Sequence, residues 1–176
     1  AFLVQAADRD FNINRIERYL TICNASNVNP VIVMTKIDLI NASRLNEIME
    51  SLKSRIKKVP IISISNETKI GYEAINSFIK KGKTYCMLGS SGVGKSSLLN
   101  NLSGKTLMKT DSISLSTNKG KHITSHRELI VLENGGMLID NPGMREVGIA
   151  DTTSGLEITF ESISRLSKKC KFKQFS

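Results

Sequence analysis

Eight consecutive residues, Gly89-Ser90-Ser91-Gly92-Val93-Gly94-Lys95-Ser96, carry the densest chemistry in the chain. They fit the P-loop spacing GxxxxGK followed by Ser or Thr, and the apolar strand pattern before them and helical pattern after them are the context that spacing requires. Glycines let a backbone curl until its N–H groups converge on phosphate oxygens, and the helix that follows turns the positive end of its dipole to the same point. Lys95 adds a mobile charge for the outer phosphates, the Ser96 hydroxyl suits Mg²⁺, and Ser97 extends the polar rim. Such a loop takes a nucleoside triphosphate without saying which one. Downstream, Asp140-Asn141-Pro142-Gly143 follows another apolar strand with DxxG spacing, so that Asp140 would reach Mg²⁺ and the Gly143 amide the outermost phosphate.

A base-reading site is written earlier in the chain, in Thr35-Lys36-Ile37-Asp38. The Asp38 carboxylate could accept from the N1–H and exocyclic amine of guanine, a pair of donors that adenine lacks, while Lys36 would lay its aliphatic stem along the base. Thr35 stands where such loops usually carry Asn, keeping a hydroxyl and losing an amide. Ser65-Asn66, at the end of the next strand pattern, occupies the place of a Ser-Ala pair whose backbone reads the guanine oxygen, and a backbone donor survives Asn in place of Ala. Taken alone, a TKxD match fits a solvated strand end better than a base-reading loop. Read from residue 1, the order is base site, second base loop, P-loop, polar loop and DxPG. Moving residues 83–150 ahead of residues 1–82 restores the order of a Ras-type GTPase, which makes the chain a circularly permuted version joined through Lys81-Gly82-Lys83. The competing readings are a nucleotide-gated RNA-binding module with negligible hydrolysis, and an ATP-using P-loop kinase.

These loops need a frame. Short apolar runs alternate with amphipathic segments, which predicts an α/β three-layer sandwich with a mostly parallel sheet. FLVQAA (2–7), PVIVMTK (30–36), PIISIS (60–65) and TYCML (84–88) read as strands. Ile13, Ile16, Leu20 and Cys23 mark one helix, with Arg15 and Arg18 outward. Leu45, Ile48, Leu52 and Ile56 mark a second that Ser43 would cap, and Ala74, Ile75, Phe78 and Ile79 a third ending near Gly82. Leu98, Leu99 and Leu102 form the helix after the P-loop, closed by Gly104. Residues 105–126 are polar and aperiodic, predicting a long mobile loop; RELIVL and GMLID predict a hairpin around ENGG; one helix is expected from Ile158 to Leu166, before a basic tail.

The 176 residues suffice for one domain with a sizeable core, at 40% hydrophobic content. A net charge of +9 favours an anionic partner, and with 5% aromatic residues there is little stacking surface for single-stranded RNA. Cys23, Cys86 and Cys170 are odd in number and widely spaced, as in a reducing compartment. No apolar run approaches the roughly 20 residues of a membrane span, and no signal peptide is evident.

The segments DFNINRIERYL, TKIDL, GSSGVGKSSLLNNL, GKHITSHREL and DNPGMREVGI, together with their permuted order, resemble the ribosome small subunit-dependent GTPase A family, RsgA. The resemblance implies a cytoplasmic, monomeric GTPase that binds GTP and GDP with Mg²⁺ and acts in late maturation of the small ribosomal subunit, with that subunit and its rRNA as partners and neither DNA nor membrane. It implies a GTPase domain over 1–153 and the start of a truncated C-terminal helical and zinc segment over 154–176, the family's N-terminal OB-fold being absent. Cys170 falls at the first zinc-ligand position, but Phe175 stands where a second cysteine would follow, so no zinc is expected. Met144 follows DxPG where Ras-type enzymes have the water-orienting glutamine. His122, matching the histidine of the family's GRHTTT segment, becomes the candidate for orienting water, and Thr124 the candidate switch ligand to Mg²⁺, with Ser125 its competitor. Lys119, Lys121, Arg127, Lys168, Lys169, Lys171 and Lys173 are the residues available to rRNA phosphates.

Overall fold

Alternation along a single strand sets the layering. In β1 (Phe2–Ala6) every residue is buried, which marks a strand covered on both faces. Phe2, Val4 and Ala6 enter one apolar cluster while Leu3 enters another on the opposite face. The computed structural model describes residues 1–8, 11–104, 129–139, 153–167 and 169. Among these the sheet has six strands in the order β3-β2-β1-β4-β6-β5, with β2 (Val31–Thr35), β3 (Ile61–Ser63), β4 (Thr84–Leu88), β5 (Leu129–Val131) and β6 (Met137–Ile139). All neighbours are parallel except the β5-β6 hairpin, where Ile130 faces Leu138.

Helices cover both faces. Ile16, Leu20 and Cys23 of α1 (Ile13–Ala25) pack with Ile48 and Leu52 of α2 (Ala42–Arg55) against Leu3, Ile32 and Met34. On the other side Ile75 of α3 (Tyr72–Phe78) and Leu98 and Leu99 of α4 (Lys95–Ser103) pack against Phe2, Val4 and Leu138. Each such side chain, fully removed from water, contributes roughly 1.5–3 kcal/mol. The buried Glu17 carboxylate ties α1 to α2 by accepting two bonds from the Arg55 guanidinium, at 3.0 and 2.7 Å. Among the described residues no helix is long and apolar enough to cross a membrane.

Three expectations change. The cap of α2 is Asn41 instead of Ser43: the Asn41 backbone is extended and its side chain accepts from the Arg44 N–H at 2.8 Å, which leaves Ser43 inside the first turn. Helix α3 ends at Phe78, before Gly82, because the Tyr85 hydroxyl donates to the Phe78 carbonyl and accepts from the Lys80 N–H, satisfying the helix end. The C-terminal region forms two helices, α5 (Thr153–Thr159) and α6 (Glu161–Ser167). Gly155 hides α5 from a periodicity argument, yet it is what lets α5 lie on α1: a Cβ there would come within 2.2 Å of the Thr21 carbonyl oxygen. The Thr159 hydroxyl then accepts from Asn24 at 2.9 Å.

Candidate functional site

From β1 the chain runs through α1 to β2 on one face, and from β4 it runs through α4 on the other, so the carboxyl ends of β1 and β4 diverge at a topological switch point. In open α/β sheets this is where ligands are held. The P-loop leaves β4 there. Gly89 is buried against the central strand, and a Cβ would lie 2.3 Å from the Val4 carbonyl oxygen. Ser90 is half-buried, while Ser91 and Gly92 form the exposed tip. Gly92 and Gly94 adopt φ of 78° and 92°, the left-handed region glycine enters without strain. Between them Val93 turns its side chain into the core, anchoring an otherwise polar loop. The Lys95 ammonium donates back across the loop to the carbonyls of Gly89 and Ser90, at 2.8 and 2.6 Å. Ser96 and Ser97 are half-buried in the first turn of α4, where the helix dipole favours anions and a hydroxyl oxygen suits a hard cation.

The base-side residues come to the same place. Thr35, fully buried at the end of β2, donates from its hydroxyl to the Val93 carbonyl at 2.6 Å, so the hydroxyl alone makes a tie to the P-loop despite the lost amide. Lys36 takes φ 59°, and its ammonium pairs with Asp8 at 3.1 Å. Asp38 is exposed in a 3-10 turn over Ile37–Leu39. Beside this turn lies a cleft of about 420 Å³ lined by Ala7, Asp8, Leu39, Ile40 and Arg44. Ser65 is fully buried; its hydroxyl accepts from the N–H groups of Glu67 and Thr68 at 3.2 and 3.0 Å, which turns the chain sharply after β3. Asn66 does more than lend a backbone amide, since its side chain donates to the Gly94 carbonyl at 3.0 Å and accepts from the Tyr72 hydroxyl at 2.7 Å.

Thr35, Ser65, Asn66 and the P-loop are thus brought together. Asp140, Gly143, His122, Thr124 and Ser125 lie outside the described residues, as do Cys170 and, of the residues expected to meet rRNA, Lys119, Lys121, Arg127, Lys168, Lys171 and Lys173. Ser96 is therefore the described member of the three expected Mg²⁺ ligands, and among the described residues no group of three or more His, Cys, Asp or Glu could hold a metal. Motif reading missed Asp8, Tyr72 and Asn101; Tyr72 and Asn101 leave no signal in the sequence, whereas Asp8 has one, an acidic residue directly after the strand that borders the switch point. Burial pushes the Tyr72 hydroxyl up to about 12. Burial also lifts the Cys23 thiol to about 11, as expected of an inert core cysteine.

A family model described as RsgA GTPase matches residues 1–150. A small ribosomal subunit biogenesis GTPase RsgA 1 from Listeria innocua is 45% identical over 98% of this chain and 49% of its own length. A small ribosomal subunit biogenesis GTPase RsgA from Methanosarcina acetivorans is 41% identical over 98% of this chain and 46% of its own. The chain spans about half the length of the curated relatives it matches. Among solved structures, YloQ, described as a circularly permuted GTPase, superposes with a TM-score of 0.67 at 28% identity, covering 98% of this chain and 54% of that one. YjeQ from Thermotoga maritima gives 0.64 at 27% identity, covering 84% and 49%. The strand order and the order of the loops are those of a circularly permuted GTPase domain.

Proposed function

The chain belongs to the RsgA GTPase family, and on that premise we propose that it binds GTP and hydrolyses it to GDP and phosphate, in the cytosol, during maturation of the small ribosomal subunit. The observation that most supports this reading is the junction of Thr35 and Asn66 with the Val93 and Gly94 carbonyls, which ties the two loops proposed to read the base to the P-loop at the switch point. Asp38 and Lys36 hold the base, and the Ser65-Asn66 backbone reads its oxygen. Loop N–H groups and Lys95 hold the phosphates. Ser96, Thr124 and Asp140 would hold Mg²⁺, which when bound neutralises charge on the β- and γ-phosphates. His122 orients the water that attacks the γ-phosphorus as the bridging bond to the β-phosphate breaks, and the Gly143 amide meets the outermost phosphate. Lys119, Lys121, Arg127, Lys168, Lys169, Lys171 and Lys173 supply charge for rRNA phosphates.

Phosphate release from GTP with and without small ribosomal subunits tests the reading. Slow turnover stimulated by subunits is expected; GTP-dependent subunit binding with no stimulation would refute hydrolysis as the function. Asp38→Asn should weaken GTP binding by about 100-fold, since two hydrogen bonds to a charged group are lost, and shift preference to xanthine nucleotides. Unchanged selectivity would remove Asp38 from the base site.

A further inference from the structure

The site contains a polar chain whose directions are fixed by chemistry. Asn101, on α4, can only donate from its Nδ2, and it does so to the Tyr72 hydroxyl at 2.7 Å and to the Asn66 carbonyl at 3.1 Å. The single Tyr72 proton is then left for the Asn66 Oδ1, at 2.7 Å. That turns the Asn66 Nδ2 toward Gly94, whose carbonyl accepts at 3.0 Å. Lys69 closes the cluster by donating to the Asn66 carbonyl at 2.9 Å while its ammonium sits 5.5 Å from the Tyr72 ring centroid. Asn66 therefore joins the second base loop to the start of α3 and to the N-cap glycine of α4 through its side chain, and to the body of α4 through its main-chain carbonyl.

We infer that Asn66 is a positioning residue that couples guanine recognition to phosphate recognition: its amide, oriented by Tyr72 and Asn101, holds the Gly94 carbonyl and with it the first turn of α4. The inference rests on the guanine-nucleotide reading above. Gly94 is the N-cap of α4, with left-handed backbone and no side-chain cap, and its carbonyl also accepts the first helical bond from the Leu98 N–H at 2.9 Å, so the Asn66 amide bears on the bond that starts the helix. Thr35 secures the preceding carbonyl, so two successive P-loop carbonyls are held by the two base loops. Ordering of either base loop by guanine then steadies the element that meets the phosphates, and the reverse holds by linkage. The geometry also shows where a substitute donor could come from. A Cβ built on Gly94 would lie 2.6 Å from the Asn66 Nδ2 and 3.8 Å from the Thr35 Oγ1, so both side chains flank Gly94 and position 35 is the neighbouring place from which a second donor can be tried.

GDP affinity, measured by titration beside the melting temperature of the nucleotide-free chain, tests this. Asn66→Ala should weaken GDP about tenfold and Tyr72→Phe about threefold, as expected for lost buried hydrogen bonds. Because both act through the same carbonyl, Asn66→Ala with Tyr72→Phe should bind no more weakly than Asn66→Ala alone. Thr35→Asn in the Asn66→Ala background should recover most of the affinity, which a merely structural role for Asn66 would not predict. Wild-type affinity in both single variants, multiplied losses in the double, or no recovery with Thr35→Asn would each overturn the coupling. Tyr72→Phe keeps the ring and its packing, so it reports even if Asn66→Ala fails to fold. A wild-type chain that binds neither GDP nor GTP refutes the proposed function itself; one that binds GDP just as both variants do refutes only this inference.

Discussion

The phosphate loop and the base-reading loops touch, yet they are built by different means. The P-loop is shaped by its own backbone: Gly89 lies against Val4, Gly92 and Gly94 take left-handed φ, and Lys95 bridges its two ends. The base loops are held by side chains reaching other segments, Thr35 to Val93, Lys36 to Asp8 and Asn66 to Gly94 and Tyr72. A backbone-built site has few tolerated substitutions. A site built from side-chain ties depends on the particular donors, here the Thr35 hydroxyl and the Asn66 amide.

The contrast breaks most visibly at Gly89. Gly89→Ala would force a methyl to 2.3 Å from a backbone oxygen of the central strand, with no flexible group to give way. We expect a loss of about 3 kcal/mol in stability, read by denaturant unfolding, together with loss of measurable GDP binding. A variant as stable as wild type would show the loop to be adaptable. Gly155→Ala provides the control, a glycine packed as closely against a backbone oxygen but on α1, away from both loops. It should destabilise by about 1–3 kcal/mol through α5 while leaving GDP affinity within about twofold. A large change in affinity would mean that α5 communicates with the site.

The smallest expected effect is that of pH. Folded Tyr72 keeps its proton until about pH 12, whereas the unfolded chain releases it near the ordinary value of 10. Its contribution is whole below pH 10 and fades as the pH climbs toward 12, because the unfolded state then holds fewer protons. Cys23 acts in the same direction from 9 toward 11. Tyr72→Phe should flatten the upper part of this slope in pH-dependent unfolding, and a slope unchanged by that substitution would show that the hydroxyl carries no such linkage. The peptide groups that shape the P-loop do not titrate in this range, so the Tyr72 share of the effect belongs to the base side and the Cys23 share to the core beneath α1.

Much of this could be read from the residues. GSSGVGKS was legible because its requirement is local: a curled backbone, a lysine and a helix start, all within eight residues. The strands and the first four helices were legible because burial on one face imposes a period of two or of 3.6. The order of TKID before GSSGVGKS defined the permutation, since motif order is a property of the chain and not of its packing. Helix α5 was missed because the glycine that argues against a helix in isolation is the residue that permits contact with α1. Asn41 displaced Ser43 as a cap because the choice between polar residues two positions apart depends on which one has the extended backbone.

By itself, then, the sequence determined the phosphate loop, the alternating frame and the permuted order, each carried by short-range geometry or by linear sequence. Only the tertiary structure decided how Thr35 and Asn66 hold the P-loop, and that Tyr72 and Asn101 orient the amide that does so. A hydrogen bond between residues 28 or 58 positions apart leaves no periodic trace in the chain. It exists because the sheet brings the ends of β2, β3 and β4 to one edge, where buried donors must find acceptors.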